Sequence, residues 1–206
     1  MKRTVFFLLL LFPLLAPAQD TAEAFLDRAV KAMKDDSAVQ MDYTYTVYDE
    51  NGKVVQADKG LLRLNGNSYS LLMNDIKVWC NGKVQWSFMS EINEIYITDA
   101  SSPEAQNLSP LYIMEMYRAG YSAVMNSING RTEVTLETSS PDNNINKVKL
   151  LFAASTLRLE SMFIYMAGQG YIEVALDAYT AHCTFPAGVY ECPLKDYPTA
   201  EVVDMR

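Results

Sequence analysis

The feature that most constrains this chain is an alternation of apolar and polar residues, interrupted by Asn-Gly dipeptides. From Val39 to Val47 every second residue is apolar, which is the period of a strand with one buried face. Asn-Gly favours two-residue hairpin loops, because both loop positions of the common hairpin turn need positive φ. The dipeptide occurs at Asn51-Gly52, Asn65-Gly66, Asn81-Gly82 and Asn129-Gly130. Strands joined in this way form an antiparallel meander.

The same pattern predicts about ten or eleven strands and two helical elements. The predicted strands are Val39–Val47, Val54–Leu64, Ser68–Met73, Asp75–Cys80, Val84–Met89, Glu94–Thr98, Tyr121–Ile128, Arg131–Thr138, Lys147–Ala153, Leu157–Met166 and Tyr171–Tyr179. Apolar residues at helical spacing predict a helix over Thr21–Lys34, with Asp20 as its N-cap. A second helical segment is expected between Ala100 and Gly120. The expected fold is mainly β (α+β), as one domain over residues 19–206.

The N-terminus has the features of an export signal. Lys2 and Arg3 precede an apolar run from Val5 to Leu15, and Ala16-Pro17-Ala18 supplies a small-x-small cleavage pattern. We expect residues 1–18 to be a signal peptide and the mature chain to be soluble in the periplasm. Oxidising compartments permit disulfides, and Cys183 and Cys192 are close enough in sequence to form one. The alternative is that these two cysteines and Cys80 are reduced and pack as small apolar residues.

Charge and histidine content exclude several classes of function. With 17 basic and 25 acidic residues the net charge is −8, which argues against a protein that binds nucleic acid through its phosphates. His182 is the single histidine, and no Gly-x-Ser-x-Gly turn or Gly-rich phosphate loop occurs. We therefore expect no catalytic residues, no metal site, no cofactor and no enzyme activity, and we read His182 as a surface residue.

The apolar residues include 13 tyrosines, 11 methionines and 8 phenylalanines. Methionine is flexible and suits surfaces that accept variable apolar partners. Residues in phase along the strands either fill a core or line a cavity, and periodicity does not distinguish the two. The candidate cavity residues are Met41, Tyr43, Tyr45, Leu62, Leu64, Tyr69, Leu71, Met73, Val84, Trp86, Phe88, Val148, Leu150, Phe152, Ile172, Val174 and Leu176. The candidate residues of a helical lid are Phe25, Ala29, Leu111, Met114, Met116 and Tyr117.

Three stretches resemble one protein family. Lys77–Phe88, with its Asn81-Gly82-Lys83 turn, is similar to the DGK-x-x-W-x-Y hairpin of the LolA-like outer-membrane lipoprotein carriers. Gly60-Leu61-Leu62-Arg63-Leu64 precedes this hairpin, and the tail from Lys195 to Arg206 resembles that of the Bacteroidetes members. The order of these stretches agrees over nearly all of the mature chain.

The resemblance implies a strongly curved antiparallel sheet, an incomplete β-barrel, with helices as a lid over an apolar cavity. It further implies a monomeric periplasmic carrier that binds the acyl chains of lipoproteins, receives them from an inner-membrane release transporter and conveys them to the outer membrane. Alternatives are an envelope lipid-binding or protein-interaction module on the same fold, and a secreted hydrolase that would depend on His182.

One departure from the family concerns the lid. An arginine of the early sheet holds the lid closed in well-studied members, whereas the corresponding stretch here is Leu64-Asn65-Gly66-Asn67-Ser68. Arg63 lies upstream and out of phase. We therefore expect tyrosine or methionine packing to hold a looser lid.

Overall fold

The computed structural model describes residues 21–106, 110–140, 144–153 and 156–206. The signal peptide predicted over residues 1–18 and the predicted cap Asp20 lie outside this part of the chain. The helices are α1 (Ala22–Asp35), α2 (Pro103–Gln106) and α3 (Pro110–Met114), and short 3-10 helices follow at Met116–Ala119 and Leu194–Asp196. The strands are β1 (Val39–Tyr48), β2 (Val54–Asn65), β3 (Ser68–Leu72), β4 (Ile76–Asn81), β5 (Val84–Met89), β6 (Glu94–Asp99), β7 (Ser122–Ile128), β8 (Arg131–Glu137), β9 (Ile145–Phe152), β10 (Leu159–Met166), β11 (Gly170–Thr180) and β12 (Glu201–Asp204).

These strands form one open, curved sheet in the order β12-β6-β5-β4-β3-β2-β1-β11-β10-β9-β8-β7. Two meanders, β1–β6 and β7–β11, are joined through the antiparallel pairing of β1 with β11. The predicted mainly β fold class is confirmed, and the sheet is not closed into a barrel.

One edge of the sheet adds a parallel strand to the expected antiparallel arrangement. β12 adds a parallel strand to β6, with Glu201 opposite Glu94 and Asp204 opposite Ile97. β12 has only four residues, with an acid at each end. Such a short segment shows no alternation that would indicate a strand. The C-terminal segment therefore extends the sheet that the meanders begin.

The four turns that contain Asn-Gly differ in their backbone conformation. Only Asn129-Gly130 has positive φ at both positions, 51° and 74°. At the other sites only the glycine is left-handed, and in two of them it is the first of two loop residues: Gly66 before Asn67 and Gly82 before Lys83. This is the position at which a type II′ turn requires glycine.

Helix α1 begins one residue later than predicted and packs on the inner face of the sheet. Thr21 is its N-cap, because the Thr21 side chain accepts a hydrogen bond from the Ala24 N–H at 3.2 Å. The buried side of α1 carries Phe25, Leu26 and Ala29. Here and below, the inner face is the one that α1 and α3 cover, and the outer face is the opposite one.

Candidate functional site

Most of the predicted cavity and lid residues lie in one cluster between the inner face and the helices. This inner cluster contains Met41, Tyr43, Tyr45, Leu62, Leu64, Tyr69, Leu71, Met73, Val148, Leu150, Phe152, Ile172, Val174, Leu176, Phe25, Ala29, Leu111, Met114, Met116 and Tyr117. The candidate cavity residues form six in-phase sets along the strands. Five of these sets point to the inner face, as a curved sheet with one apolar concave side requires.

The prediction is wrong for Val84, Trp86 and Phe88. These three residues pack on the outer face in a second cluster with Trp79, Ile95 and Ile97. The register explains the error, because Trp86 lies opposite both Trp79 and Ile97, while the alternate residues of β5 turn inwards. A period of two indicates that a strand has an apolar face, but not which side of the sheet that face occupies.

Three of the residues of β5 and β6 that turn inwards are polar. Gln85, Ser87 and Thr98 are buried, and the Tyr69 hydroxyl donates to Oε1 of Gln85. The Gln85 amide in turn donates to Ser87 Oγ at 3.3 Å. Burial raises the pKa of Tyr69 above the ordinary value of tyrosine. Sequence reasoning missed this polar strip, because assigning Trp86 to the cavity placed its polar neighbours in solvent.

Beneath α1 the interior is filled by side chains rather than open. Val148, Leu150 and Phe152 have no exposed surface, and the rings of Phe25 and Phe152 meet edge to face with centroids 5.0 Å apart. Many of the predicted cavity residues are therefore core in this conformation. Open space remains in two pockets beside this packed region.

The larger pocket lies between α3 and the ends of β2, β3 and β4, with a volume of about 520 Å³. Leu64, Tyr69 and Leu111 from the predicted sets contribute to its wall. The other lining residues are Gly66, Asn67, Cys80, Gly82, Lys83, Ala100, Ser101, Ala105, Tyr112 and Glu115. Burial raises the pKa of the Cys80 thiol. A pocket of this size falls within the usual range for small-molecule sites, about 300–1,000 Å³.

A smaller pocket of about 210 Å³ lies between the end of α1 and strands β1, β10 and β11. Met41, Leu176 and Ala29 from the predicted sets line it, together with Tyr179 and Arg158. The Tyr179 hydroxyl donates to Asp36 at 2.7 Å, and the Arg158 guanidinium lies 4.9 Å from the centre of the Tyr179 ring. The wall is therefore apolar and carries one charged group of each sign, Asp36 and Arg158.

The lid is held to α1 by a polar contact that we name the Asp27 latch. The Asp27 carboxylate accepts a hydrogen bond from the Tyr117 hydroxyl and forms an ion pair with Arg118. Arg118 also lies 3.7 Å from Glu115. Burial, followed by the contact with Asp27, raises the pKa of Tyr117 to about 12. The expected lid of one helix over Leu111–Tyr117 is instead α3 followed by a 3-10 turn.

Arg63 takes no part in this latch. Its Nε lies 3.4 Å from Oε1 of Gln40, and its guanidinium stacks at 5.8 Å from the Phe185 ring of the C-terminal segment. Tyrosine or methionine packing was expected to hold the lid. The structure adds the ion pair between Asp27 and Arg118 to that packing. Tyr117 does contribute, and Met114 and Met116 of the lid are themselves buried.

The cysteines and the histidine take structural positions. Of the two alternatives for Cys183 and Cys192, a disulfide or reduced side chains, the structure has the second: both residues are free thiols, as is Cys80. The Cys192 side chain packs against the outer cluster, whereas Cys183 is fixed at the end of β11 by a hydrogen bond from its N–H to the Ala38 carbonyl. His182 is exposed, with Nδ1 3.4 Å from Ser37 Oγ. Among the described residues, no group of three or more His, Cys, Asp or Glu could hold a metal ion.

Comparison with known proteins identifies the family. A family model described as outer membrane lipoprotein carrier protein LolA matches residues 28–169, which is more than half of the chain. The chain belongs to the LolA family. No curated protein matches this sequence.

Solved structures are similar to this LolA-family chain at low sequence identity. An uncharacterized conserved protein from Thermus thermophilus is 9% identical with a TM-score of 0.56, covering 89% of this chain and 98% of its own. A LolA superfamily protein from Nitrosomonas europaea is 11% identical with a TM-score of 0.45, covering 84% and 99%. In the described part of the chain, no helix has the length and apolar character needed to cross a membrane.

Proposed function

We propose that this protein is a periplasmic carrier that binds the acyl chains of lipoproteins and transports them from the inner to the outer membrane. The observation that carries the proposal is the pocket of about 520 Å³, which opens between the inner face and the lid helix α3 in a chain of the LolA family. The function is binding rather than catalysis, and the mature domain is residues 19–206 after removal of the signal peptide at residues 1–18.

Pocket size supports an acyl ligand. A methylene group is close in size to a water molecule, whose share of liquid volume is about 30 Å³, so the pocket has room for roughly seventeen such groups. Each buried methylene contributes about 0.8 kcal/mol, so a single long chain gains substantial binding energy without any catalytic or charged partner. The pocket in this conformation is thus large enough for one long acyl chain.

The interior can also adapt to further chains. Methionine side chains repack readily, because they are unbranched and have three rotatable bonds. Those of the inner cluster are Met33, Met41, Met73, Met114, Met116, Met125 and Met162. The packed residues under α1 would move apart as chains enter, so that Tyr43, Leu62, Val148 and the other inner-face residues become cavity wall.

The test is to load the purified mature protein with a diacylated lipopeptide and to measure co-elution on gel filtration, with the unacylated peptide as control. Organic extracts of protein isolated from its periplasm are analysed for acyl lipids by mass spectrometry. We expect acyl lipids in the extract and co-elution of the lipopeptide only. The absence of both would refute the carrier function.

A matched pair of variants tests the location. Ala105 is buried in the wall of the larger pocket, whereas Ala57 is exposed on β2. Ala105→Phe should weaken lipopeptide binding by filling the pocket, and Ala57→Phe should leave it unchanged. A fixed protein partner whose capture is insensitive to acyl competitors would instead favour a protein-interaction module on the same fold.

A further inference from the structure

The Tyr43 hydroxyl is an unusual group in this interior. Tyr43 is 5% exposed and belongs to the inner cluster, yet its hydroxyl has no hydrogen-bond partner among the described residues. A buried hydroxyl without a partner destabilises the folded state, and a phenylalanine would fill the same space without that cost. The neighbouring Tyr45, on the same face of β1, accepts a hydrogen bond from the Gln56 amide at 3.1 Å.

The backbone around Tyr43 is adapted to its position. Gly60 lies opposite Tyr43 on β2, and a Cβ at residue 60 would lie 2.2 Å from Cζ and 2.4 Å from the hydroxyl oxygen of Tyr43. The phenol ring therefore lies across Gly60. Glycine inside a strand is unfavourable and is often found where another group approaches closely. Only the missing side chain at residue 60 allows the ring to extend across β2.

A register irregularity on the other side of β1 affects the same residue. The pairing with β11 shifts between Asp42 and Tyr43, so that Asp42 faces Ala178 and Tyr43 faces Leu176. The extra residue, Asp177, lies on β11, so β11 is the bulged strand and Tyr43 lies beside the bulge. Bulges occur frequently beside binding sites. A bulge, a glycine within a strand and an unpaired buried hydroxyl thus coincide at one point of the inner face.

We propose that the Tyr43 hydroxyl is the hydrogen-bond donor for the carbonyl oxygen of a bound acyl ester or amide. This inference rests on the carrier function proposed above and specifies the ligand class: chains attached through a carbonyl, as distinct from plain alkyl chains. The carbonyl is an acceptor without a donor of its own, which complements a hydroxyl that lacks an acceptor. The surrounding apolar side chains strengthen such a bond by excluding water.

Two ligands that differ in one carbonyl group test the proposal: 1-palmitoylglycerol, an ester, and 1-hexadecylglycerol, the corresponding ether. Dissociation constants are measured by calorimetry below the critical micelle concentration for the wild type, Tyr43→Phe and Tyr48→Phe. Tyr48 ends the same strand outside the inner cluster, and its hydroxyl donates to Glu173 at 2.9 Å. Comparing the ratio of ether to ester dissociation constants between the wild type and a variant cancels the difference in hydration of the two ligands.

We expect this ratio to be about five- to tenfold larger in the wild type than in Tyr43→Phe, and unchanged in Tyr48→Phe. We also expect ligand-free Tyr43→Phe to melt about 3 °C above the wild type, because the unpaired hydroxyl is removed. An equal ratio in wild type and Tyr43→Phe, or a lower melting temperature of that variant, would overturn the assignment while leaving the carrier function in place. If the wild type binds neither ligand, the carrier function itself is refuted, and the assignment with it.

Discussion

At the scale of single residues, two glycines in the left-handed region allow the cost of backbone strain to be distinguished from the cost of a steric clash. Gly52 and Gly170 have φ of 75° and 86°. A Cβ at Gly52 would meet open space, whereas one at Gly170 would lie 2.1 Å from the Tyr48 carbonyl oxygen. A backbone atom held in the β1–β11 pairing cannot move away as a flexible side chain can.

We therefore predict that Gly52→Ala costs about 1–2 kcal/mol of unfolding free energy, from left-handed strain alone. Gly170→Ala should cost at least about 2 kcal/mol more, because a backbone clash is added. Urea denaturation of both variants measures the difference. Equal losses would mean that β1 and β11 are not in close contact at Gly170.

Buried tyrosines determine how stability responds to alkaline pH. Burial raises the pKa of Tyr43, Tyr69 and Tyr179 in the folded protein above the value of about 10 that an unfolded chain has. Above pH ~10 the unfolded state therefore binds fewer protons than the folded state, and stability decreases as pH rises. Below that pH the contribution is fully present.

The predicted result is a free energy of unfolding that falls steadily once pH exceeds about 10. Urea titrations from about pH 8 to about pH 11.5 measure it, with phenolate absorbance recorded in parallel. Tyr179→Phe should reduce the slope, because one raised pKa is removed. A slope identical to that of the wild type would contradict the assignment for Tyr179.

At the scale of elements, the hairpins show what local sequence controls. Each Asn-Gly site does form a turn, because glycine supplies the positive φ in all four. The asparagine has varied roles: at Asn81 its side chain accepts hydrogen bonds from the backbone N–H groups of Lys83 and Val84. Turn position was therefore predictable from the dipeptide, whereas turn type depended on the register of the flanking strands.

The Asp27 latch is an element-scale contact between α1 and the lid. Asp27 and Arg118 are about half exposed, so the pair contributes little to global stability, roughly 0–1 kcal/mol. Asp27→Ala should nevertheless accelerate amide hydrogen exchange in residues 113–119, because the contact joins two elements that otherwise share few interactions. Hydrogen-exchange mass spectrometry measures this rate.

The matched control is Asp35→Ala, which breaks the exposed Lys31–Asp35 ion pair within α1. This change should leave exchange in the lid as in the wild type, since neither residue contacts the lid. Equal exchange in both variants would show that the lid is held by its buried side chains alone.

At the scale of the whole molecule, the C-terminal segment covers the outer cluster. The Tyr197 ring lies 5.9 Å from the Trp79 ring and 4.5 Å from the Phe88 ring, and the Lys77 ammonium is 5.6 Å from its centre. β12 then pairs with β6 a few residues later. Tyr197 thus connects the end of the chain to the middle of the first meander.

We predict that Tyr197→Ala lowers the unfolding free energy by about 2–4 kcal/mol and shifts tryptophan emission to the red as the outer cluster becomes hydrated. Tyr197→Phe, which keeps the ring and loses only the hydroxyl contact with Lys77, should change stability by less than about 1 kcal/mol. Denaturant titration followed by fluorescence measures both. A neutral Tyr197→Ala variant would mean that the segment is not anchored there.

The sequence by itself determined the local features of this protein. Alternation placed β1 to β11 within a few residues of their observed ends, glycines placed the turns, and a run of spaced apolar residues placed α1. Each of these depends on φ preferences and on the side-chain period of a single element, which neighbouring residues specify. Most in-phase apolar residues were also expected to turn towards one covered face, whereas the lid was implied by the family resemblance.

Only the tertiary structure decided the features that depend on distant parts of the chain. It joined the meanders through β1 and β11, placed Trp86 outside and Gln85 inside, and left Cys183 and Cys192 as free thiols. It also decided between a filled core and a cavity, which the periodicity left open: the interior is packed and methionine-rich, beside a pocket of about 520 Å³. The period of a strand shows that its two faces differ. Which face is covered, and by what, depends on contacts between residues far apart in the sequence.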